Sequence, residues 1–377
     1  MFERVLILSA SAGAGHIRAA QAVEKAFLQL KAAKELRNID TLDYTNKLFQ
    51  NLYSKAYIEL VDKAPAILGW LYDYFNEPWQ NQHLHLAFDK LNVGPLIKLL
   101  TEFKPTLAVC THYLPAEIIS WLKEKRRLRT RQAIIITDFD LHAMWLCRNY
   151  EHYFVALEET RLHLEALGIS PEKITVSGIP IDPVFAEKKD KTEMRKKLGL
   201  DINLPAILIS AGGFGVGPME MLVRSLTKMH NKAQVIAICG KNEELKTSLK
   251  KLKSGLARNN TLKVFPVGFT TEMDEYMSAA DLLLGKPGGL TTSEALAKSL
   301  PLVIVNPIRG QEERNSDHLL EEGAAIRCNN LPVLGYKIDS LLDNPQRLEL
   351  MRKNVRRLAR PNAALDIVKK LLSLQNS

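Results

Sequence analysis

The chain opens on an apolar run, VLILSA, which gives way to a glycine-rich turn and then to HIRAAQAVEKAFLQL, whose apolar residues recur at roughly helical spacing. The pattern predicts a strand, a loop and a helix. LAVCTH near residue 107, AIIITD near 133 and KITVSGIP near 173 predict further strands, separated by helical stretches such as PAEIISWLKEKRR. Alternation of this kind predicts a mainly parallel sheet covered by helices.

After Pro183 the pattern breaks into a charged segment, AEKKDKTEMRKKLGLDINLP, and a new strand begins at AILISAGG. QVIAICG, LKVFPVGF, DLLLGKPGG and PLVIVNP then repeat the rhythm, with helices such as EMDEYMSAA and SEALAKSL between them. The reading is a first domain over 1–185, a linker over 186–202 and a second domain over 203–360. A C-terminal helix over 361–377 is expected to pack back on the first domain. Two such α/β domains, each opening with a strand that runs into a glycine-rich loop, leave a cleft at the carboxyl ends of their strands, where open α/β sheets bind ligands.

A length of 377 residues accommodates two domains with separate cores, and 46% hydrophobic beside 25% charged residues excludes extended disorder. No apolar run approaches the ~20 residues that span a bilayer. The opening MFERVLILSASAG runs straight into a strand, so no signal peptide is expected. Cys110, Cys147, Cys239 and Cys328 are scattered, which suggests neither a disulfide framework nor a zinc motif. The reducing cytoplasm is the expected compartment. A formal net charge of +9 favours an anionic partner: nucleic acid, a phospholipid surface or a phosphorylated substrate.

The candidate chemistry falls at the predicted strand ends. Gly13 and Gly15 admit a ligand to the backbone, and His16 follows at the helix start, where an imidazole can take a proton from an attacking hydroxyl. A capping or packing histidine fits the same position. The loop with Gly212, Gly213 and Gly215 offers tight turning and exposed amides but lacks the Walker lysine, and it also fits a packing device. In 286–294, Lys286, Gly288, Gly289, Leu290, Thr291, Thr292 and Glu294 have the parts of a diphosphate site: amides and a helix dipole for phosphate oxygens, and a carboxylate for ribose hydroxyls. Thr291 and Glu294 equally fit a capping box. Further on, Gln311, Glu312 and Asn315 carry donor and acceptor groups suited to sugar hydroxyls.

Taken together, SASAGAGH, TDFDLHAMW, SGIPIDP, SAGGFGVGP, ICGKN, VGF, KPGGLTTSEALA and GQEERN resemble the monogalactosyldiacylglycerol synthase and processive diacylglycerol glucosyltransferase family of GT-B glycosyltransferases, over nearly the whole chain. The resemblance implies two Rossmann-like domains facing across a cleft and an inverting transfer of a hexose from a UDP-sugar to diacylglycerol or a related membrane lipid. It implies a UDP site at Gly288, Gly289, Leu290, Thr291 and Glu294, with Gly240 of ICGKN nearby, Phe269 beside the uracil, and Gln311, Glu312 and Asn315 facing the donor sugar. On the acceptor side it implies Gly13, Gly15 and His16, with Asp138, His142 and Trp145 from the second motif. UDP-sugar is then the donor substrate, with no tightly bound cofactor and no metal expected.

A lipid acceptor requires the first domain to touch the inner face of an anionic membrane. Ile67, Leu68, Trp70, Leu71, Tyr72, Tyr74, Phe75 and Trp79 suit a headgroup boundary or a core helix, and Lys123, Lys125, Arg126, Arg127, Arg129 and Arg131 suit anionic lipid or a solvated face. No nucleic-acid reading motif accompanies the charge. Competing readings are a UDP-sugar epimerase of the same fold and a UDP-sugar-responsive binding protein without turnover.

Overall fold

The computed structural model describes residues 1–11, 13–46, 70, 74, 76–78, 93–210, 219–256 and 261–375. Gly212, Gly213 and Gly215, together with Ile67, Leu68, Leu71, Tyr72, Phe75 and Trp79, lie outside these residues.

The first half runs β1 (Phe2–Ser9), α1 (Ala14–Gln29), β2 (Ala33–Asp40), α2 (Gly94–Phe103), β3 (Leu107–Cys110), α3 (Tyr113–Glu124), β4 (Arg131–Ile135), β5 (His152–Val155), α4 (Glu158–Ala166) and β6 (Ile174–Val176). Its six strands pair in the order β2-β1-β3-β4-β5-β6, every pair parallel.

The second half begins with α5 (Lys191–Lys197), β7 (Ala206–Ser210), α6 (Met219–Leu226), β8 (Ala233–Ile238), α7 (Glu243–Leu256), β9 (Leu262–Val267) and α8 (Met273–Ala279). It continues through β10 (Leu282–Gly285), α9 (Gly289–Ala297), β11 (Leu302–Val305), α10 (Gln311–Glu321) and β12 (Ala325–Cys328), and ends on α11 (Leu334–Leu342), α12 (Pro345–Leu358) and α13 (Ala363–Gln375). These six strands pair in the order β12-β11-β10-β7-β8-β9, again all parallel.

Strands buried on both faces read as continuous apolar runs, which is why β1, β3, β4, β7, β8, β10 and β11 stand out in the sequence. In each sheet the strand order reverses beside the opening strand, between β1 and β3 and between β7 and β10, and such crevices are where open α/β sheets take ligands.

The two sheets share an apolar core. Ala19, Phe139, Ile179 and Ile181 from the first half are buried with Leu208, Ile236, Leu283 and Leu290 from the second. α13 returns to the first sheet, where Ala364, Ile367, Val368 and Leu371 pack with Phe2, Ile7, Val23 and Phe27. The outgoing and returning segments of chain meet where Gly178 lies against Arg360 and Ala363.

Candidate active site

Gly13 stands at the N-cap of α1 with φ of 152°, a conformation that favours glycine, and sends the chain from β1 into the helix with His16 in its first turn. The His16 ring is half-buried among Thr111 and His112 from the end of β3 and Thr137 and Trp145 from the segment after β4. Its Nδ1 lies 3.0 Å from the carbonyl oxygen of Thr111 and 2.9 Å from the Thr137 hydroxyl. A carbonyl accepts only, so Nδ1 carries the proton and Nε2 is left with its lone pair. Burial lowers the His16 pKa to about 4, against the Thr111 hydrogen bond that raises it. The imidazole is therefore neutral at pH 7. Its neighbour His112, with ring centroids 4.6 Å apart, accepts from Leu114 N–H at 3.1 Å and is likewise held neutral by burial and by His16.

Opposite stands the N-terminus of α9. Gly288, not Thr291, is the N-cap, and it makes no side-chain cap. The capping-box reading of Thr291 and Glu294 is therefore not realised. The first backbone N–H groups of α9 have no partner within the helix and give its N-terminus the character of an anion site. Gly15 of α1 faces Leu290 of α9, so the two glycine-rich turns meet across the cleft. At Gly289 the approach is closer still: a side chain there would fall on the carbonyl oxygen of Thr137.

Glu294, one turn further in, is buried with a side-chain exposure of 2%, and Arg18 of α1 pairs with its Oε1. Oε2 is buried without a hydrogen-bond partner. Burial raises the Glu294 pKa to about 7 even with Arg18 opposing the shift. Thr292 is fully buried, its hydroxyl without a hydrogen-bond partner, and Ser293 donates back to Gly289 O at 2.9 Å. Lys286 and Thr291 are half-buried at the same strand end.

The first turn of α10 closes the site from the second half. Gln311 donates to Asp138, Arg314 pairs with Asp140, and Asn315 is fully engaged between the halves: its Oδ1 accepts from Phe139 N–H at 3.2 Å and its Nδ2 donates to Pro287 O at 3.0 Å. Asn315 thus ties the loop after β4 to the loop after β10. Glu312 accepts from Ile308 N–H at 2.7 Å and stands beside Gly288, and burial raises its pKa against the attraction of Lys286. Burial likewise raises Asp138 to about 6, against hydrogen bonds from Gln311 and the Trp145 indole. His142 accepts from Met144 N–H at 3.2 Å, the work of a capping residue, while Trp145 is buried 6.4 Å from His16, ring to ring.

Gly240 is a left-handed turn at the end of β8, with φ of 58°. Phe269 is exposed beyond β9 with Lys241 5.8 Å from its ring. Arg18, Thr111 and Thr137 are contacts the sequence reading missed. Arg18 sits on the polar side of an amphipathic helix, where nothing separates it from the solvated Gln21 and Lys25. Among the described residues no group of three or more His, Cys, Asp or Glu is placed to hold a metal ion, and no helix is long and apolar enough to cross a membrane.

Two parallel six-stranded sheets, facing across a cleft with a helix N-terminus on one side and a half-buried histidine on the other, make up the GT-B fold. The fold is shared with MurG of Acinetobacter baumannii, with a TM-score of 0.63 at 16% identity over 99% of this chain and 100% of that one. UDP-GlcNAc 2-epimerase from Neisseria meningitidis bound to UDP-GlcNAc has it too, with a TM-score of 0.61 at 15% identity over 98% and 99%. Fold alone therefore does not separate transfer from epimerisation.

Sequence does. Residues 16–181 match the monogalactosyldiacylglycerol (MGDG) synthase family and residues 206–371 match the glycosyltransferase family 28 C-terminal domain. The processive diacylglycerol beta-glucosyltransferase of Staphylococcus saprophyticus is 30% identical over 99% of this chain and 93% of its own length. The chain belongs to the monogalactosyldiacylglycerol synthase and processive diacylglycerol glucosyltransferase family, and it is a UDP-sugar-dependent lipid glycosyltransferase.

Proposed function

We propose that this chain moves glucose from UDP-glucose to diacylglycerol with inversion, giving a β-glucolipid at the inner face of a membrane. The observation that carries the reading is His16: a neutral imidazole, its Nδ1–H committed to Thr111, on a turn that faces the N-terminus of α9. The acceptor hydroxyl attacks the anomeric carbon, the bond from that carbon to the β-phosphate oxygen breaks, and Nε2 of His16 takes the hydroxyl proton. The amides of the α9 N-terminus and its dipole stabilise the charge gathering on the departing diphosphate. Lys286 adds a cation to the same strand end. Glu294 takes the ribose, Phe269 lies beside the uracil, and Gln311 and Glu312 line the sugar.

For the membrane, Trp70 and Tyr74 are exposed and stacked with centroids 5.5 Å apart, and Lys125, Arg126, Arg127, Arg129 and Arg131 are exposed at and beyond the end of α3. Aromatic rings suit the headgroup boundary, and well-placed cations attract anionic lipid at ~1 kcal/mol each.

The test incubates the protein with UDP-glucose, UDP-galactose, UDP-N-acetylglucosamine or UDP-glucuronic acid, with and without diacylglycerol in anionic vesicles, and identifies products by mass spectrometry and the anomeric coupling constant. A β-glucosyl lipid from UDP-glucose is the expected product. A UDP-sugar changed only in configuration, or donor binding without any product, would contradict the reading.

A further inference from the structure

We infer that Arg18 is a positioning residue for the donor, holding the Glu294 carboxylate so that one oxygen stays open to the ribose and so that donor binding is completed only when the two domains are closed. The inference rests on the proposed ribose contact of Glu294 and extends it to a residue of the opposite domain.

The geometry is specific. Arg18 rises from α1, two residues beyond His16, and such a pair lies on different faces of a helix. His16 turns to Thr111 and Thr137, while Arg18 reaches across to α9. Its guanidinium occupies Oε1 of Glu294 and leaves Oε2 buried with no hydrogen-bond partner. An unpartnered buried carboxylate oxygen costs free energy that a ribose hydroxyl, donating to it, recovers.

The surroundings of Glu294 explain why a cation is needed. Asp182, from the turn after β6, and Asp274, from α8, both push Glu294 toward its neutral form. Each is itself attended by a lysine, Lys25 at Asp182 and Lys189 at 2.5 Å from Asp274, and Lys298 stands near Asp274. Among the described residues, Arg18 is the cation in direct contact with Glu294. Without it, burial and two neighbouring carboxylates favour a protonated Glu294, a poorer acceptor for a hydroxyl. Arg18 is 40% exposed, so replacing it opens no core.

The experiment measures binding of UDP and of 2′,3′-dideoxy-UDP to the wild-type chain, to Arg18→Gln and to Arg18→Lys, by calorimetry across pH. Arg18→Gln should weaken UDP about tenfold or more, the scale of a charged hydrogen bond, and leave dideoxy-UDP unchanged. Arg18→Lys should recover part of the loss, and the acid limb of UDP affinity should move to higher pH in Arg18→Gln. Equal losses for both nucleotides, or no loss for either, would overturn the role of Arg18 while leaving the UDP site intact. A wild-type chain that binds UDP no better than dideoxy-UDP would overturn the ribose contact itself, and the inference with it.

Discussion

His16 and Asp138 owe their unusual proton affinities to the same cause, burial, with opposite consequences. Neutral His16 titrates near 4 in the fold instead of 6.5, so it contributes stability that is fully present above pH 6.5 and is lost as pH falls toward about 4. Asp138 titrates near 6 instead of 3.8, so its contribution is fully present below about 3.8 and is lost as pH rises through about 6. Asp138→Asn keeps an acceptor for Gln311 and removes the charge. It should flatten the decline in thermal stability over that window, as read from unfolding temperatures at a series of pH values. A decline as steep as in the wild type would mean that the buried charge lies elsewhere. An ordinary histidine base imposes an acid limb near 6.5 on turnover, and His16, lowered to about 4 by burial, should place that limb correspondingly lower in the rate-against-pH profile.

The elements legible in the sequence are those whose environment is uniform. VLILSA, AIIITD, AILISAGG and QVIAICG announce buried parallel strands, and the helical spacing after Gly15 announces α1. Three strands escape this reading. β2 is an edge strand, AKELRNID, whose side chains are half-buried or exposed along its length, so its pattern is polar. β5, HYFV, opens on a histidine and a tyrosine, and β12, AIRC, carries an arginine, so neither stands out as a continuous apolar run. The motifs at strand ends are visible because glycine and hydroxyl residues interrupt apolar runs there. What those side chains touch is not visible: no pattern in the sequence shows that Asn315 bridges two loops or that Arg18 pairs with a buried carboxylate. Such contacts are set by how two domains meet, which no local pattern encodes.

Ile367 of α13 is fully buried against the first sheet although it lies near the end of the chain. Ile367→Ala should destabilise the first domain by roughly 2–5 kcal/mol, the usual cost of emptying a buried aliphatic site. Denaturant unfolding followed by hydrogen exchange in β1 and α1 would register it, and an effect confined to α11 and α12 would contradict the packing.

At the scale of the whole molecule the two halves form a closed pair, joined by Gln311 to Asp138, Arg314 to Asp140, Arg18 to Glu294 and the Asn315 bridge. At Gly289 the halves approach so closely that an added Cβ would fall on the carbonyl oxygen of Thr137. Alanine normally improves a helix relative to glycine. Here Gly289→Ala would press on Thr137 and hold the halves apart, so turnover should fall on the order of 100-fold, the cost of about 1 Å of misplacement. Small-angle scattering should report a more open particle. Unchanged scattering with unchanged turnover would contradict the closed arrangement.

Transfer to lipid across this cleft, with His16 as the base, is tested by the rate of UDP release from UDP-glucose against the mole fraction of diacylglycerol in vesicles, for the wild type and for His16→Ala, with UDP affinity measured alongside. Release should rise with diacylglycerol in the wild type and fall by on the order of 10²–10⁴ in His16→Ala, with UDP affinity preserved. Release indifferent to diacylglycerol, or a loss of UDP affinity as large as the loss of turnover, would contradict transfer to lipid with His16 as the base.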